Sequence, residues 1–149
     1  MVKKIYLCGA MEAYKDSNEA EKWRNEVKRF FADYCMNFEC ISPTDYYSFK
    51  YNIAKSNAEI MRFDLRKLKE SDVVLVNLKD VRKSLGSSDE ILYAYLLGKP
   101  IIGFLEEEIG NRKELEQYVH SWKFEQIDRI ETGYDAMLSA CEYIKDYYF

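Results

Sequence analysis

Two carboxylates occupy positions that a packing pattern would give to apolar side chains. Take the helical pattern from Ser56 to Glu70 and advance about 100° per residue. With Ile60 at 0°, Leu68, Met61 and Leu65 fall at about 80°, 100° and 140°, and Phe63 at about −60°. Asp64 falls at about 40°, in the middle of this apolar arc. Arg62, Arg66, Lys69 and Glu70 lie opposite, and Lys67 intrudes at the edge. A carboxylate facing inward is costly unless it is hydrogen-bonded or does chemistry. Asp64 is therefore either a structural acid that ties down a neighbouring loop or a working one.

Glu90 is the second. In "SLGSSDEILYAYLLGKP", Ser84 to Pro100, it is followed by Ile91, Leu92, Tyr93, Ala94, Tyr95, Leu96 and Leu97, apolar nearly all round a helix. Such a helix is expected to be buried against a sheet and against a second surface, such as another subunit. Its start, "LGSSD", offers unpaired N–H groups that favour an anion, with Gly86 permitting close backbone approach. Asp89 complements the helix dipole; Glu90 sits deeper, beside small Ala94. "LGSSDE" lacks the lysine of a P-loop and is not a phosphate loop of that kind.

A pair of carboxylates near the same strand ends is the usual equipment for cleaving a glycosidic bond through an oxocarbenium-like transition state. One attacks the anomeric carbon; the other assists the leaving group or positions the sugar.

The elements that must carry these acids alternate along the whole chain. "KKIYLCGA" reads as a buried strand running into Gly9, and Asp16 with Glu19 has the spacing of a helix start. Ala20, Trp23, Val27, Phe30, Phe31 and Tyr34 then form one apolar face. "FECIS" is a second strand stopped by Pro43. Ser56 and Glu59 open the Asp64 helix, and "DVVLVNL" is a strand too apolar to be covered on one face only. "KPIIGFL" is the fourth strand after the Glu90 helix, and Glu106 to Gln117 is part helix and part loop. "EQIDRI" is a short fifth strand, and Met137, Ala140, Cys141, Ile144 and Tyr148 mark a closing helix. The expected fold is α/β, a flavodoxin-like (Rossmann-like) three-layer sandwich in one domain over residues 1–149, its five-stranded parallel sheet in the order 2-1-3-4-5. Ligands in such sheets bind beyond the carboxyl ends of the strands. That points to Gly9, Ala10 and Met11, to Pro43 through Asp45, to Asn77 onward, and to the start of the Glu90 helix.

Composition narrows the partners. The net charge of −4 argues against a nucleic-acid polymer as the main partner and leaves free nucleosides and nucleotides. The four cysteines contain no CxxC pair and there is one histidine, His120, so no metal site is expected. The cysteines read as reduced structural thiols. The "MVKKIYLCGAM" terminus has too short an apolar run for a signal peptide, and no membrane span is expected. A cytoplasmic protein follows.

Taken in order, these segments resemble the nucleoside 2-deoxyribosyltransferase family. "IYLCGAM" looks like its first strand and glycine turn, and "RFDLRKLKESDVVLVNL" like its acid-bearing helix and third strand. "SLGSSDEILYAYLLGKPI" is similar to its nucleophile segment, and "HSWKFEQIDRI" with the last helix to the tail of bacterial and phage members. The resemblance implies a flavodoxin-like fold, homo-oligomers (a dimer or larger), no metal and no organic cofactor. It also implies a covalent 2-deoxyribosyl intermediate on Glu90, assisted by Asp64, the sugar passing to another base. Gly9 and Gly86 match turns where sugar or phosphate approaches the backbone. The transferases often carry an aspartate six residues before the nucleophile, and here that position is Ser84. A related branch, the 2'-deoxynucleoside 5'-monophosphate N-glycosidases, is closer at Ser84-Leu85-Gly86; there a serine holds the 5'-phosphate and water accepts the sugar. Transfer and hydrolysis both remain open.

Tyr6, Tyr14, Tyr46 and Tyr47 lie near strand ends, as base-stacking groups or as packing. His120 is either a surface residue or one that approaches a neighbour's site. A receiver-like signalling domain would need an acidic pair after the first strand, where "CGAM" stands. A non-catalytic nucleotide-binding module is the other rival class.

Overall fold

Every strand that the pattern marks as buried on both faces lies inside a five-stranded parallel sheet. The computed structural model describes residues 1–34, 37–47 and 53–148. The strands are β1 (Lys3–Cys8), β2 (Phe38–Ile41), β3 (Val73–Asn77), β4 (Ile101–Leu105) and β5 (Arg129–Thr132). Their order is β2-β1-β3-β4-β5, the one expected from the sequence. The register pairs Tyr6 with Ile41 on one side and with Val74 on the other.

Alternation along the strands divides the core. Ile5, Leu7, Val73, Leu75, Ile102 and Phe104 face helices α1 (Glu19–Tyr34) and α6 (Ala136–Tyr143). Tyr6, Cys8, Val74, Val76, Ile101 and Leu105 face the other layer, which holds α2 (Asn57–Lys69) and α3 (Leu85–Leu96). The short helices α4 (Arg112–Leu115) and α5 (Ser121–Phe124) complete that layer. Each fully buried aliphatic side chain contributes about 1.5–3 kcal/mol relative to exposure, so β3, with four buried residues, anchors both layers. The chain leaves β1 toward one layer and β3 toward the other, so the crevice of this sheet opens between those two strands.

The helix signals held in part. Ser56 accepts the Glu59 amide at 3.2 Å, and Glu59 reaches back to the amide of Lys55, so the expected start of α2 is in place. Asp16 and Glu19 do not form the expected pair. Helix α1 begins at Glu19, and the Ser17 hydroxyl takes the Glu19 amide at 3.3 Å, leaving Asp16 outside. Pattern placed the fifth strand at Glu125 to Ile130, but it runs Arg129–Thr132. The reason is Asp128, whose carboxylate accepts the Ile101 amide at 2.7 Å and pins the entry to β5. The closing helix ends in a π-helical turn, Ile144–Tyr148.

Helix α3 departs from its expected burial. It buries only Ser87, Ile91 and Ala94, a stripe at i, i+4 and i+7. Leu85, Leu92, Tyr95 and Leu96 are exposed. Helix α3 then stops where its sequence says: Gly98 takes φ +71°, a left-handed cap, and Pro100 follows. Of the four cysteines, Cys35 lies outside the described residues; Cys8, Cys40 and Cys141 are free thiols. Among the described residues no helix is long and apolar enough to cross a membrane, and no group of three or more His, Cys, Asp or Glu stands together as metal ligands.

Candidate active site

Tyr6, from the middle of β1, points into the layer that holds α2 and α3, and its hydroxyl is buried without a hydrogen-bond partner. It is therefore a floor beneath the two acids and not a base-stacking ring at a strand end. Glu90 stands in the second turn of α3, six residues past the cap and deeper than the helix start, as its place in the sequence implies. A helical side chain leans toward its own N-terminus, which carries the carboxylate back toward the strand ends. The residue is partly exposed, yet Oε2 is buried and unpartnered. Among the described residues only Tyr6 Oη, Trp23 Nε1 and Glu90 Oε2 are buried side-chain polar atoms in that condition. Two of these three belong to one site. A buried polar atom left unpaired costs about 1–3 kcal/mol, so such a pair has a reason outside stability.

Burial pushes Glu90 up to about 7 from its ordinary 4.5; the Tyr6 hydroxyl and Arg24 pull it down, while Asp64 and Asp89 add to the rise. The Tyr6 hydroxyl faces the carboxylate closely enough to relieve part of its charge, without the distance and angle of a completed hydrogen bond. Asp64, half-buried in the middle of α2, is likewise pushed up to about 6 by burial, with Arg24 opposing. The Tyr6 and Cys8 groups are raised well above their ordinary values, first by burial and then by Glu90, and stay neutral. The two inward acids of the helical pattern thus share one electrostatic environment, contributed by α2, α3, β1 and α1.

Sequence reasoning missed Arg24. It continues the α1 stripe Ala20, Trp23, Val27, Phe31, so helical spacing held a signal for it. It is fully buried, and its guanidinium donates to the carbonyls of Ala20 at 2.7 Å, Gly9 at 3.0 Å and Leu7 at 3.4 Å.

The remaining candidates separate into two groups. Gly9 closes β1 against the Trp23 indole: a Cβ there would meet Trp23 Cζ2 at 2.8 Å, so no larger residue fits without movement. Ala10 is buried behind it, and Met11 lines a cleft of about 470 Å³ with Tyr14, Asn18, Thr44 and Tyr47 at the ends of β1 and β2. Neither Glu90 nor Asp64 lines this cleft. Ser84 caps α3: its oxygen accepts the Ser87 amide at 3.2 Å and its hydroxyl donates to Ser87 Oγ at 2.8 Å. A Cβ on Gly86 would meet nothing within 4 Å, so open space lies over the first turn of α3. Asp45 stands apart. It is exposed and paired with Lys28 of α1 at 2.6 Å.

Of the other aromatic candidates, Tyr14 donates to Asp80, Tyr46 packs edge-on against Phe63 at 5.0 Å, and His120 caps α5 by accepting the Trp122 amide at 3.1 Å. A second cleft, of about 400 Å³, is lined by Val81, Ser88, Leu92, His120, Trp122 and Lys123. Ser88 and Leu92 stand about 200° round α3 from Glu90, on its other flank.

The family model for nucleoside 2-deoxyribosyltransferase matches residues 5–122, a span that includes Tyr6, Gly9, Arg24, Asp64, Ser84 and Glu90. The chain belongs to the nucleoside 2-deoxyribosyltransferase family. It is therefore a nucleoside 2-deoxyribosyltransferase-family enzyme. Solved structures share the fold. A conserved protein from Enterococcus faecalis V583 superposes with TM-score 0.70 at 13% identity, over 95% of this chain and 98% of that one. The CMP N-glycosidase BcmB of Clostridium botulinum superposes with TM-score 0.61 at 19% identity, over 99% and 100%. A 2-desoxiribosyltransferase from Leishmania mexicana is 25% identical with TM-score 0.54, over 70% of this chain and 65% of its own. No curated protein matches the chain.

Proposed function

We propose that this protein cleaves the N-glycosidic bond of a nucleoside or nucleotide, a deoxy sugar being the family's choice, through a covalent sugar–Glu90 ester, and passes the sugar to another base. The observation that carries this reading is the buried, unpartnered Glu90 oxygen beside Asp64 and over Tyr6. The reaction runs through the form in which Glu90 is ionised and Asp64 protonated, the less populated of the two one-proton forms, since Glu90 is held higher than Asp64. Glu90 attacks the anomeric carbon, the C–N bonding pair leaves with the base, and Asp64 supplies the proton that the base takes up. The second half-reaction runs in reverse: the incoming base attacks, Asp64 recovers a proton, and Glu90 is freed. Gly9, Ala10 and Met11 form the wall beside the sugar.

A second reading has its own support. The capped start of α3, with open space over Gly86, suits a 5'-phosphate, since unpaired helical N–H groups and the positive end of the dipole converge there. On that reading the enzyme is a 2'-deoxynucleoside 5'-monophosphate N-glycosidase with water as acceptor. A nucleotide-binding module without turnover is the third.

The functional unit in this proposal is a homodimer or larger homo-oligomer. Leu85, Trp122 and Leu96 are 79%, 75% and 70% exposed on one side of the α3–α5 layer, an apolar surface that a second copy would cover.

One screen tests all three readings. Nucleosides and 5'-monophosphates are incubated with the protein, with and without an acceptor base, and free base and exchanged nucleoside are measured. Exchange supports the transferase, base release from monophosphates alone supports the hydrolase, and binding without either leaves the module.

A further inference from the structure

Asp80 forgoes two local preferences for one distant contact. It stands just before the 3-10 turn Val81–Lys83, where an aspartate ordinarily caps the turn's amides, yet its carboxylate makes no such bond. Its backbone is left-handed, φ +57°, the only positive φ outside glycine among the described residues. Aspartate tolerates that conformation at a cost, and it persists only where the surroundings hold it. What holds it is Tyr14, 66 residues earlier, whose hydroxyl donates to the Asp80 carboxylate. Burial and Asp80 both push the Tyr14 hydroxyl upward, so it keeps the proton it donates.

The contact spans the mouth of the crevice. The ends of β1 and β3 lie side by side, and a Cβ on Gly9 would stand 3.4 Å from the Asn77 Cβ. From there one chain turns toward α1 and the other toward α3, and the Tyr14–Asp80 bond rejoins them. Lys79 adds a second tie, its ammonium 2.9 Å from Glu19 of α1, but both side chains are exposed and such pairs contribute little. Each side of the main tie passes directly into the site. The Tyr14 amide donates to the Met11 carbonyl at 2.9 Å, and both residues line the cleft of about 470 Å³. On the other side the Ser84 amide donates to the carbonyl of Val81, the residue after Asp80, at 3.1 Å.

We infer that Tyr14 and Asp80 are positioning residues: their bond fixes the Met11 wall relative to Ser84 at the start of α3, and so sets the width of the crevice that a nucleoside enters. Its purpose rests on the glycosidic reading; its geometry does not. Glu90 is rooted separately, by Ile91 and Ala94 on the buried stripe of α3. Loss of the tie therefore loosens substrate binding and leaves the acids in place.

Hydrogen exchange reads the tie without substrate. The amides of Val81, Lys83 and Ser84 are bonded within the connection, at 3.2, 3.0 and 3.1 Å, and report its opening. Tyr14→Phe removes one hydroxyl, and Asp80→Gly removes the carboxylate while suiting the left-handed backbone better. Each should speed exchange at these amides by about tenfold or more. The double variant should exchange no faster than the faster single. Amides unmoved by Tyr14→Phe, or increases that multiply in the double variant, overturn the inference. In turnover, Tyr14→Phe should raise KM by about tenfold and keep kcat within about twofold of native; an unchanged KM also overturns it. A chain that releases no base yet shows the exchange coupling loses the proposed reaction and keeps the tie.

Discussion

Glu90 and Tyr6 face each other across the α3–β1 contact, each with a buried oxygen that completes no hydrogen bond. A structural acid in such a place would be tied to an amide or a hydroxyl with good geometry, as Asp128 is tied to Ile101.

Glu90→Gln keeps the side chain's shape and removes the carboxylate that the proposed reaction uses as nucleophile. Turnover should fall to the detection limit with the melting temperature retained. A 2-fluoro-arabinosyl nucleoside should leave a covalent adduct on the native chain, mapped by peptide mass spectrometry to Glu90. An adduct on Asp64, or full activity without Glu90, sinks the assignment.

Stability should depend on pH in a definite direction. Glu90 near 7 and Asp64 near 6 lie above their ordinary 4.5 and 3.8, so for both groups protonation favours the folded chain. Their contribution is fully present below about pH 4 and is lost as pH rises through about 6 and 7. The melting temperature of the native chain relative to Glu90→Gln should fall between pH 4.5 and 7 and run parallel above that. A difference that grows with pH over this window contradicts the burial of Glu90.

Asp64→Asn preserves volume but neither carries charge nor delivers a proton. It should lower turnover by about 10²- to 10⁴-fold while stability stays within about 1 kcal/mol of native. A variant that keeps its rate and unfolds easily shows Asp64 to be a structural acid after all. Rate measurements and denaturant melts on the same sample settle it.

Ser84→Asp separates the two enzymatic readings cleanly, because aspartate is as good a helix cap as serine and α3 should survive the change. If a 5'-phosphate rests on the start of α3, the native chain prefers a monophosphate to its nucleoside, and the added charge abolishes that preference. Losing one charge-assisted donor contact costs about 1.5–3 kcal/mol, or about ten- to a hundred-fold in affinity. A native chain that favours the nucleoside and exchanges its base leaves Ser84 as a cap alone.

The exposed apolar surface on α3 and α5 predicts self-association. Light scattering at micromolar concentration should report a dimer or larger, and Leu96→Glu, which changes only an exposed position, should reduce it to the monomer. A native monomer removes the oligomer from the proposal.

Much of this was legible in the residues, for a physical reason. Side-chain period reports which face of an element turns inward, so Asp64 was placed against the core from the spacing of Ile60, Leu65 and Leu68. Strand–helix alternation, with the handedness of crossovers, allowed few sheet orders, and the order found is the one expected. Period says nothing about which part of another element an inward face will meet. The sequence therefore left Tyr6 among several tyrosines, and only the pairing of β1 between β2 and β3 put its hydroxyl under Glu90. Arg24 drew no reading from the sequence, because a charge on a helix is usually solvated. Its burial depends on the carbonyls of Leu7 and Gly9, 17 and 15 residues away in the chain, which no local pattern brings near it. Asp45 shows the converse: its place after β2 pointed to the site, and a lysine on α1 holds it in an exposed ion pair. Local sequence sets what each element can bury; the meeting of distant groups in a low-dielectric interior sets what they can do.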